Sequence, residues 1–503
     1  MSDAPIVDVD AGRLRGRSRG PGVEFLGVPY ATAPRFAPPG SVAPWVGERD
    51  ATAIGAASPQ PRRAVAEFTH GATPPTAEEC LSLNVFTPGL RGARPVFVWI
   101  HGGGFAIGNG SASLYDGARL AQAADLVVVT INYRLGDLGW LWHPELAASP
   151  DAPAGNWGLL DQLEALRWVQ RNIAAFGGDP AKVTLAGQSA GALSALDLLV
   201  CPGADGLFRR LVLQSPPFGD VAQQPEVAIR WAQALSTACG GGAGGFDAGT
   251  LRAAPAARIV DAHERLLEDP AWRGTRGGAL PTLDPAVLPD SPRDRPGARA
   301  AIDVLIGHTA DEGTFFFGSP WRPPPLPEQI AGIVGHLAHT DAPGALLEQY
   351  RARAAEAGRR DDDHSLLIEI ATEAMIAGPA AGWARARAGA IAAAAPGAGR
   401  VFRYVFAHPG AGPALRATHT AEVPLLFGTW RDGSAGERLG GQLPGAETVA
   451  AEVVRAWTGF IHDGDPGWPA VGAAAPSDSA AAGAGELHVI GGAARLAAVQ
   501  RPA

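Results

Sequence analysis

Cysteine is scarce in this chain: Cys80, Cys201 and Cys239 are the only 3 in 503 residues. That is too few, and the wrong parity, for a disulfide framework or a clustered metal site, and it points to a reducing cytoplasm. Runs of Lys and Arg are absent and the net charge is −9, which argues against nucleic-acid or anionic-membrane partners and favours a neutral small-molecule substrate. No stretch approaches the roughly 18 consecutive apolar residues that a membrane helix needs. Residues 1–19 mix Asp3, Asp8, Asp10, Arg13 and Arg15 with small residues and lack the apolar segment of a signal peptide, so neither export nor an anchor is expected.

What the chain does have is aliphatic core material. At 46% hydrophobic and 18% charged it can bury a large core and does not read as disordered. Apolar runs at 96–100 and 126–131 lead into Gly102-Gly103-Gly104 and Asn132-Tyr133-Arg134, the pattern of buried strands. From Trp157 to Phe176, Leu159, Leu160, Leu163, Leu166, Val169 and Ile173 recur at helical spacing, and Gly177-Gly178-Asp179-Pro180 closes the helix. Strands at 183–186, 211–213 and 302–306 follow, with helical or loop material between them. This alternation predicts an α/β fold: a mostly parallel central sheet flanked by helices. The Ala-rich region 331–398 reads as helices inserted between late strands, so a single domain spanning 1–503 with a helical insertion around 320–398 is expected; a separate helical domain is the competing reading. The stretches 240–245 and 473–484 read as surface loops.

The sharpest local signal is Gly187-Gln188-Ser189-Ala190-Gly191 between a strand and an apolar helical stretch. A Gly-x-Ser-x-Gly string arises by chance in glycine-rich chains. On a strand-to-helix turn, however, the flanking glycines remove side chains that would clash and leave the serine hydroxyl exposed. His101-Gly102-Gly103-Gly104-Phe105 follows a buried strand, and its glycines let backbone N–H groups turn toward a ligand. Gly103 and Gly104, with the N–H of Ala190, could form a three-donor oxyanion hole. A phosphate loop is the alternative, but no Gly-Lys-Ser/Thr ending follows.

A weak serine nucleophile needs a histidine to take its proton and a carboxylate to orient that histidine. The run 302–306 ends in Gly307-His308-Thr309-Ala310-Asp311-Glu312-Gly313, placing two carboxylates just beyond a strand's C-terminal end, where open α/β sheets carry their sites. Spacing alone does not choose between Asp311 and Glu312. The run 401–406 precedes a Gly- and Pro-rich loop and then Thr418-His419-Thr420-Ala421-Glu422, which offers His419. A lone loop histidine is more often a surface residue.

These motifs, taken in order, resemble the type-B carboxylesterases, the family of bacterial para-nitrobenzyl esterases and the cholinesterases. The resemblance runs from Phe25-Leu26-Gly27-Val28-Pro29-Tyr30-Ala31 through Glu79-Cys80-Leu81-Ser82-Leu83-Asn84-Val85 and the His101 loop. It continues through Asn132-Tyr133-Arg134, Asn156-Trp157-Gly158-Leu159-Leu160-Asp161-Gln162, the Ser189 elbow and Gln214-Ser215. Late markers are Asp311-Glu312-Gly313, His419 with the stretch from Glu422 to Gly428, and Gly464-Asp465-Pro466. It implies the α/β-hydrolase fold, with Ser189 as nucleophile, Glu312 as the triad acid and His419 as the base. It also gives Ser215 the look of a buried serine supporting the acid and the histidine; a capping serine is the alternative.

The departures narrow the expectation. Gln188 stands where the family commonly has Glu, and 58–80 holds no Trp and only Phe68 as an aromatic, so choline-like cations lose both a buried charge and a cation–π partner. Secreted relatives pair the equivalents of Cys80 and Cys239; here Ser58 and Thr250 occupy the partner positions, again as in an intracellular enzyme. Loops near Phe105, 216–218, Phe315 to Phe317 and 425–427 are expected to wall an apolar pocket for neutral aryl or alkyl esters. No metal or organic cofactor is required, and the chain is expected to act as a monomer or small homo-oligomer. An amide, carbamate, lactone or larger natural-product ester would suit the same triad, and a non-catalytic binding protein is the rival from another class.

Overall fold

The computed structural model describes residues 4–218, 222–242, 245–272, 280–394, 397–410, 412, 414–431, 435–441, 444–472 and 487–492. The stretch 473–484 and residues 243 and 244 of the glycine run lie outside the described residues. The described residues fall into two compact units, one drawn from Met1–Leu211 and Asp220–Arg299, the other from Val212–Gly219 and Ala300–Ala503.

In the first unit the strands Gly22–Pro29, Ser82–Thr87, Val127–Ile131, Arg94–Ile100 and Gly178–Gln188 lie side by side in that order. The first three pair antiparallel, and the last three run parallel. Val127–Ile131 and residues 95–100 are buried on both faces, which is why they read as unbroken apolar runs rather than as alternation. A small sheet of Ile6–Val9, Gly12–Arg15 and Glu48–Asp50 stands apart. The predicted helix is α-helical over Trp157–Asn172 and tightens to a 3-10 turn over Ile173–Phe176 before Gly177 at φ 79°. The following strand starts at Gly178, earlier than the apolar run implies, because backbone pairing with Arg94 extends past the residues that need burial. Inside this unit Arg134 grips Asp161 through Nη2–Oδ1 at 2.7 Å and Nε–Oδ2 at 2.8 Å. Both side chains are buried, so losing either partner would leave an uncompensated charge.

In the second unit Asp303–Thr309, Val401–Phe406 and Leu487–Ile490 are parallel, with Val304 opposite Val401 and Arg403 opposite Leu487. Ser215, just past a strand that ends at Gln214, donates its N–H to Gly307 O at 2.8 Å. Helices Pro327–Leu337, Pro343–Glu356 and Asp363–Thr372 pack around Ile330, Val334, Leu347, Leu366, Leu367 and Ile370, and Gly378–Ala392 follows. Among the described residues no helix is long and apolar enough to cross a membrane.

The three thiols are all buried and free. Burial pushes Cys80 and Cys201 up to about 12, so neither is a ready thiolate.

One residue in the helix Ala190–Leu198 breaks the rule that buried polar atoms are paired. Among the described residues neither carboxyl oxygen of Asp197 has a partner, and burial raises its pKa well above the ordinary carboxylate range. The native state therefore keeps a proton that the unfolded chain releases above about pH 4, so stability falls as pH rises toward the folded-state pKa. Urea unfolding of the wild type beside Asp197→Asn should show the wild type losing stability relative to the variant as pH rises above about 4. A pH-independent difference would contradict an orphaned, protonated Asp197.

Candidate active site

Ser189 sits between the strand ending at Gln188 and the helix opening at Ala190, with φ 56° and ψ −125°. A non-glycine residue holds such angles only where its surroundings over-determine them. They do so here through a close approach: a Cβ on Gly191 would stand 2.1 Å from the carbonyl oxygen of Ile100. Ile100 also pairs in register with Gly187, so the chain after Ile100 emerges beside the serine turn.

That following chain is the glycine loop. Gly103 has φ 117°, and a Cβ there would lie 2.0 Å from Ile107 O, which itself belongs to the turn closed by Ile107 N–H on Gly103 O at 3.1 Å. A Cβ placed on Gly102 would be 3.2 Å from Ser189 Cβ, so loop and elbow are packed together. Among the described residues the N–H groups of Gly103 and Gly104 have no hydrogen-bond acceptor. Two free donors beside a strained serine are what a developing oxyanion requires.

The second unit brings Glu312, His419 and Ser215 together. Glu312 Oε2 lies 2.5 Å from His419 Nδ1, and its Oε1 accepts the Thr309 N–H at 2.7 Å. Burial pushes the Glu312 carboxyl up, but the charge and hydrogen bond of His419 and the Thr309 N–H outweigh it and leave the pKa below its ordinary value. Asp311 points elsewhere: its Oδ2 accepts the Ala417 N–H at 3.1 Å, its own N–H reaches Ala417 O at 3.0 Å, and Arg416 Nε lies 3.3 Å from Oδ1. Asp311 thus pins the loop that carries His419 while Glu312 touches the imidazole.

Sequence reasoning overlooked three partners in this unit. Thr314 Oγ1 lies 2.9 Å from both Leu415 O and Thr418 Oγ1, fastening the histidine loop from the other side. Glu422, fully buried, accepts from Gln214 Nε2 at 3.1 Å and faces Tyr404 OH at 3.4 Å. A lone carboxylate in the apolar run from Ala421 to Phe427 was the available signal for it. Burial and the nearby Glu312 charge raise its pKa to about 7.

The expected pocket walls divide. Phe315 and Phe316 are partly exposed, with ring centroids 5.2 and 5.3 Å from His419, and Trp321 packs on Phe315 at 5.0 Å. Phe105 is instead buried against Trp140 at 4.6 Å, Phe218 is buried near Trp383, and 425–427 lie inside the helix Val423–Phe427. These are core contacts. Among the described residues no group of three or more His, Cys, Asp or Glu side chains could hold a metal ion.

A strained serine beside free backbone donors, and a buried carboxylate on a histidine, are parts of a serine hydrolase. Residues 3–476 match the model of the carboxylesterase family, and the chain belongs to that family; it is a carboxylic-ester hydrolase with the α/β-hydrolase fold. It is 33% identical over 478 residues to the para-nitrobenzyl esterase of Bacillus subtilis (strain 168), covering 92% of each chain. It is 34% identical over 477 residues to the phenmedipham hydrolase of Pseudarthrobacter oxydans, covering 93% of this chain and 91% of that one. Among solved structures a thermophilic PNB esterase superimposes with TM-score 0.77 at 31% identity over 93% of this chain and 94% of that one. A Geobacillus stearothermophilus carboxylesterase gives 0.73 at 33% identity with the same coverage.

Glu422 supplies a pH test. Below about pH 7 it is neutral, and glutamine copies it; above that pH it adds negative charge near Glu312 and His419, which favours an imidazolium. Ester hydrolysis by Glu422→Gln should match the wild type at pH 6 and fall behind it about tenfold at pH 8, the effect of roughly 1.4 kcal/mol of charge stabilisation. Identical profiles across this range would show that Glu422 does not ionise there.

Proposed function

We propose that this carboxylesterase works through an acyl-enzyme on Ser189, with His419 as general base, Glu312 as the group that orients it, and the N–H groups of Gly103, Gly104 and Ala190 as the oxyanion hole. His419 removes the Ser189 proton as the hydroxyl oxygen attacks the ester carbonyl. The tetrahedral intermediate places its negative oxygen on the backbone donors, then collapses as His419 hands the proton to the departing alcohol. Water, deprotonated by the same histidine, repeats the sequence and frees Ser189. The observation that carries this reading is the Glu312–His419 bond at 2.5 Å: with Nδ1 committed to a buried carboxylate, Nε2 is the nitrogen left to move the proton. Ser215, fully buried just past the strand that ends at Gln214, is the supporting residue in this reading.

The substrate class we infer is neutral esters with an aryl or alkyl group. Support comes from the partly exposed Phe315, Phe316 and Trp321 beside His419 and from the neutral Gln188 before the nucleophile. The name of the para-nitrobenzyl esterase relative agrees with an aryl preference. We place the enzyme in the cytoplasm on the strength of its three buried, free thiols.

Hydrolysis of para-nitrophenyl acetate, butyrate and octanoate tests the reading. Ser189→Ala should lose about six orders of magnitude in kcat, and Glu312→Gln about four. Choline esters should turn over more slowly than neutral esters of the same size. Full activity in Ser189→Ala would overturn the mechanism, and faster turnover of the cationic esters would overturn the substrate class.

A further inference from the structure

Gln60, 48 residues ahead of Gly108 in the chain, grips the closing end of the glycine loop. Its Oε1 accepts the Gly108 N–H at 2.8 Å, and its Nε2 donates to Gly108 O at 2.9 Å and to Ser58 O at 3.1 Å. The two carbonyls can only accept, so the carboxamide has one orientation; turned over, it would set its oxygen against both of them and its amino group against the N–H. Gln60 stands between Pro59 and Pro61. Pro59 fixes its own φ and Pro61 keeps Gln60 out of helical backbone, so the segment has little freedom. It is also tied down just upstream, where the Ala57 N–H reaches Pro75 O at 3.0 Å and Ala57 O accepts the Ala77 N–H at 2.9 Å.

Gly108 in turn backs the start of the loop. It has φ 110°, and a Cβ on it would stand 2.8 Å from Gly102 O and 2.6 Å from His101 Nδ1. His101 Nδ1 lies 2.8 Å from Gly102 O; a carbonyl only accepts, so Nδ1 is the donor. The residue before Gly108 makes the second contact: Ile107 N–H and Ala106 N–H donate to Gly103 O at 3.1 and 3.2 Å. Ile107 O shares a peptide plane with the Gly108 N–H that Gln60 holds, and it lies where a Gly103 Cβ would be, 2.0 Å from that position. The middle of the loop is fastened from the same segment. Phe105 O accepts the Gly136 N–H at 2.8 Å, and the adjoining Leu135 gives its N–H to Ser58 Oγ at 3.0 Å.

We infer that Gln60 positions the oxyanion hole: by clamping both peptide planes of Gly108 it steadies the carbonyls of Gly102 and Gly103 and so aims the N–H groups of Gly103 and Gly104. In a trans peptide the N–H points opposite the C=O of the same plane. Gly102 O, held by His101 and backed by Gly108, sets the direction of the Gly103 N–H. Gly103 O, held by Ala106 and Ile107, sets that of the Gly104 N–H. Both N–H groups are free of acceptors among the described residues and are thereby fixed before an ester arrives. Gln60 is a positioning residue, its polar atoms committed to backbone groups rather than to substrate. This inference rests on the assignment of Gly103 and Gly104 as oxyanion donors.

The test compares Gln60→Met, Gln60→Leu and Gln60→Glu with the wild type, on para-nitrophenyl butyrate and on two ligands. One is an aryl trifluoromethyl ketone, which forms a tetrahedral adduct bearing an oxyanion; the other is the matching methyl ketone, which stays planar. Met and Leu fill much of the same space without either bond to Gly108. Each should lower kcat about 10- to 100-fold, below the roughly 100- to 1000-fold of losing a donor outright, with KM within about twofold. The trifluoromethyl ketone should lose affinity by the same factor while the methyl ketone does not. Gln60→Glu adds a rescue: a protonated carboxyl accepts from the Gly108 N–H and donates to Gly108 O as the amide does, whereas the ionised form can only accept. The two carbonyls it faces favour its neutral form, so its kcat relative to the wild type at the same pH should be as low as that of Gln60→Met near about pH 8 and recover to within about threefold near about pH 5. Unfolding midpoints are recorded for each; if neither neutral variant folds, the Gln60→Glu series decides. Unchanged kcat in both neutral variants, equal losses for both ketones, or a Gln60→Glu ratio that does not move with pH would overturn the positioning role. Ser189→Ala run alongside separates the two levels, since activity surviving in that variant would overturn the acyl-enzyme reading itself.

Discussion

One constraint organises the first unit: a serine must be held at φ 56° and ψ −125° between a strand and a helix. Such a residue costs about 1–3 kcal/mol relative to relaxed backbone, so the neighbouring structure has to hold it there. The strand Gly178–Gln188 fixes one end of the turn, the helix Ala190–Leu198 fixes the other, and the missing side chain of Gly191 lets the helix start against the Ile100 carbonyl. Because Ile100 is the last residue of the neighbouring strand, the same contact delivers the glycine loop to the serine. Strain, packing and donor placement are therefore consequences of one close approach.

The second unit solves a different problem, keeping two buried carboxylates of the same chemical type in different states. Glu312 receives an imidazole and a backbone N–H, which together offset burial and keep it ionised. Glu422 has one side-chain amide and a phenol as neighbours and feels the Glu312 charge, so burial dominates and it holds its proton up to about pH 7. Environment rather than residue type sets the role, as in other paired-carboxylate sites.

Much of this was legible in the sequence, because the elements near the serine are defined by local pattern. Buried parallel strands show as unbroken runs such as 127–131, and an elbow needs glycine at fixed offsets, so Ser189 and its glycines stand out. Spacing left Asp311 and Glu312 equivalent; what separates them is a loop near Ala417, more than 100 residues away, which captures Asp311. The Thr314–Thr418 bond and the link from Gln60 to Gly108 likewise join residues far apart in the chain. Each of these residues has an ordinary local context and becomes meaningful only when its partner is known. Phe105 misled for the opposite reason: its place in the glycine motif suggested a pocket wall, while its left-handed backbone at φ 62° turns the ring into the core against Trp140.

The proposed mechanism requires Ser189 to form a covalent bond to the acyl group during turnover. Diethyl para-nitrophenyl phosphate transfers a phosphoryl group to an activated serine and stops there, so peptide mass spectrometry on the treated enzyme tests that claim most directly. One diethylphosphoryl group per chain is expected, on the peptide containing Ser189, accumulating in step with the loss of esterase activity. Inactivation with the label on another residue, or full labelling of Ser189 without loss of activity, would contradict it.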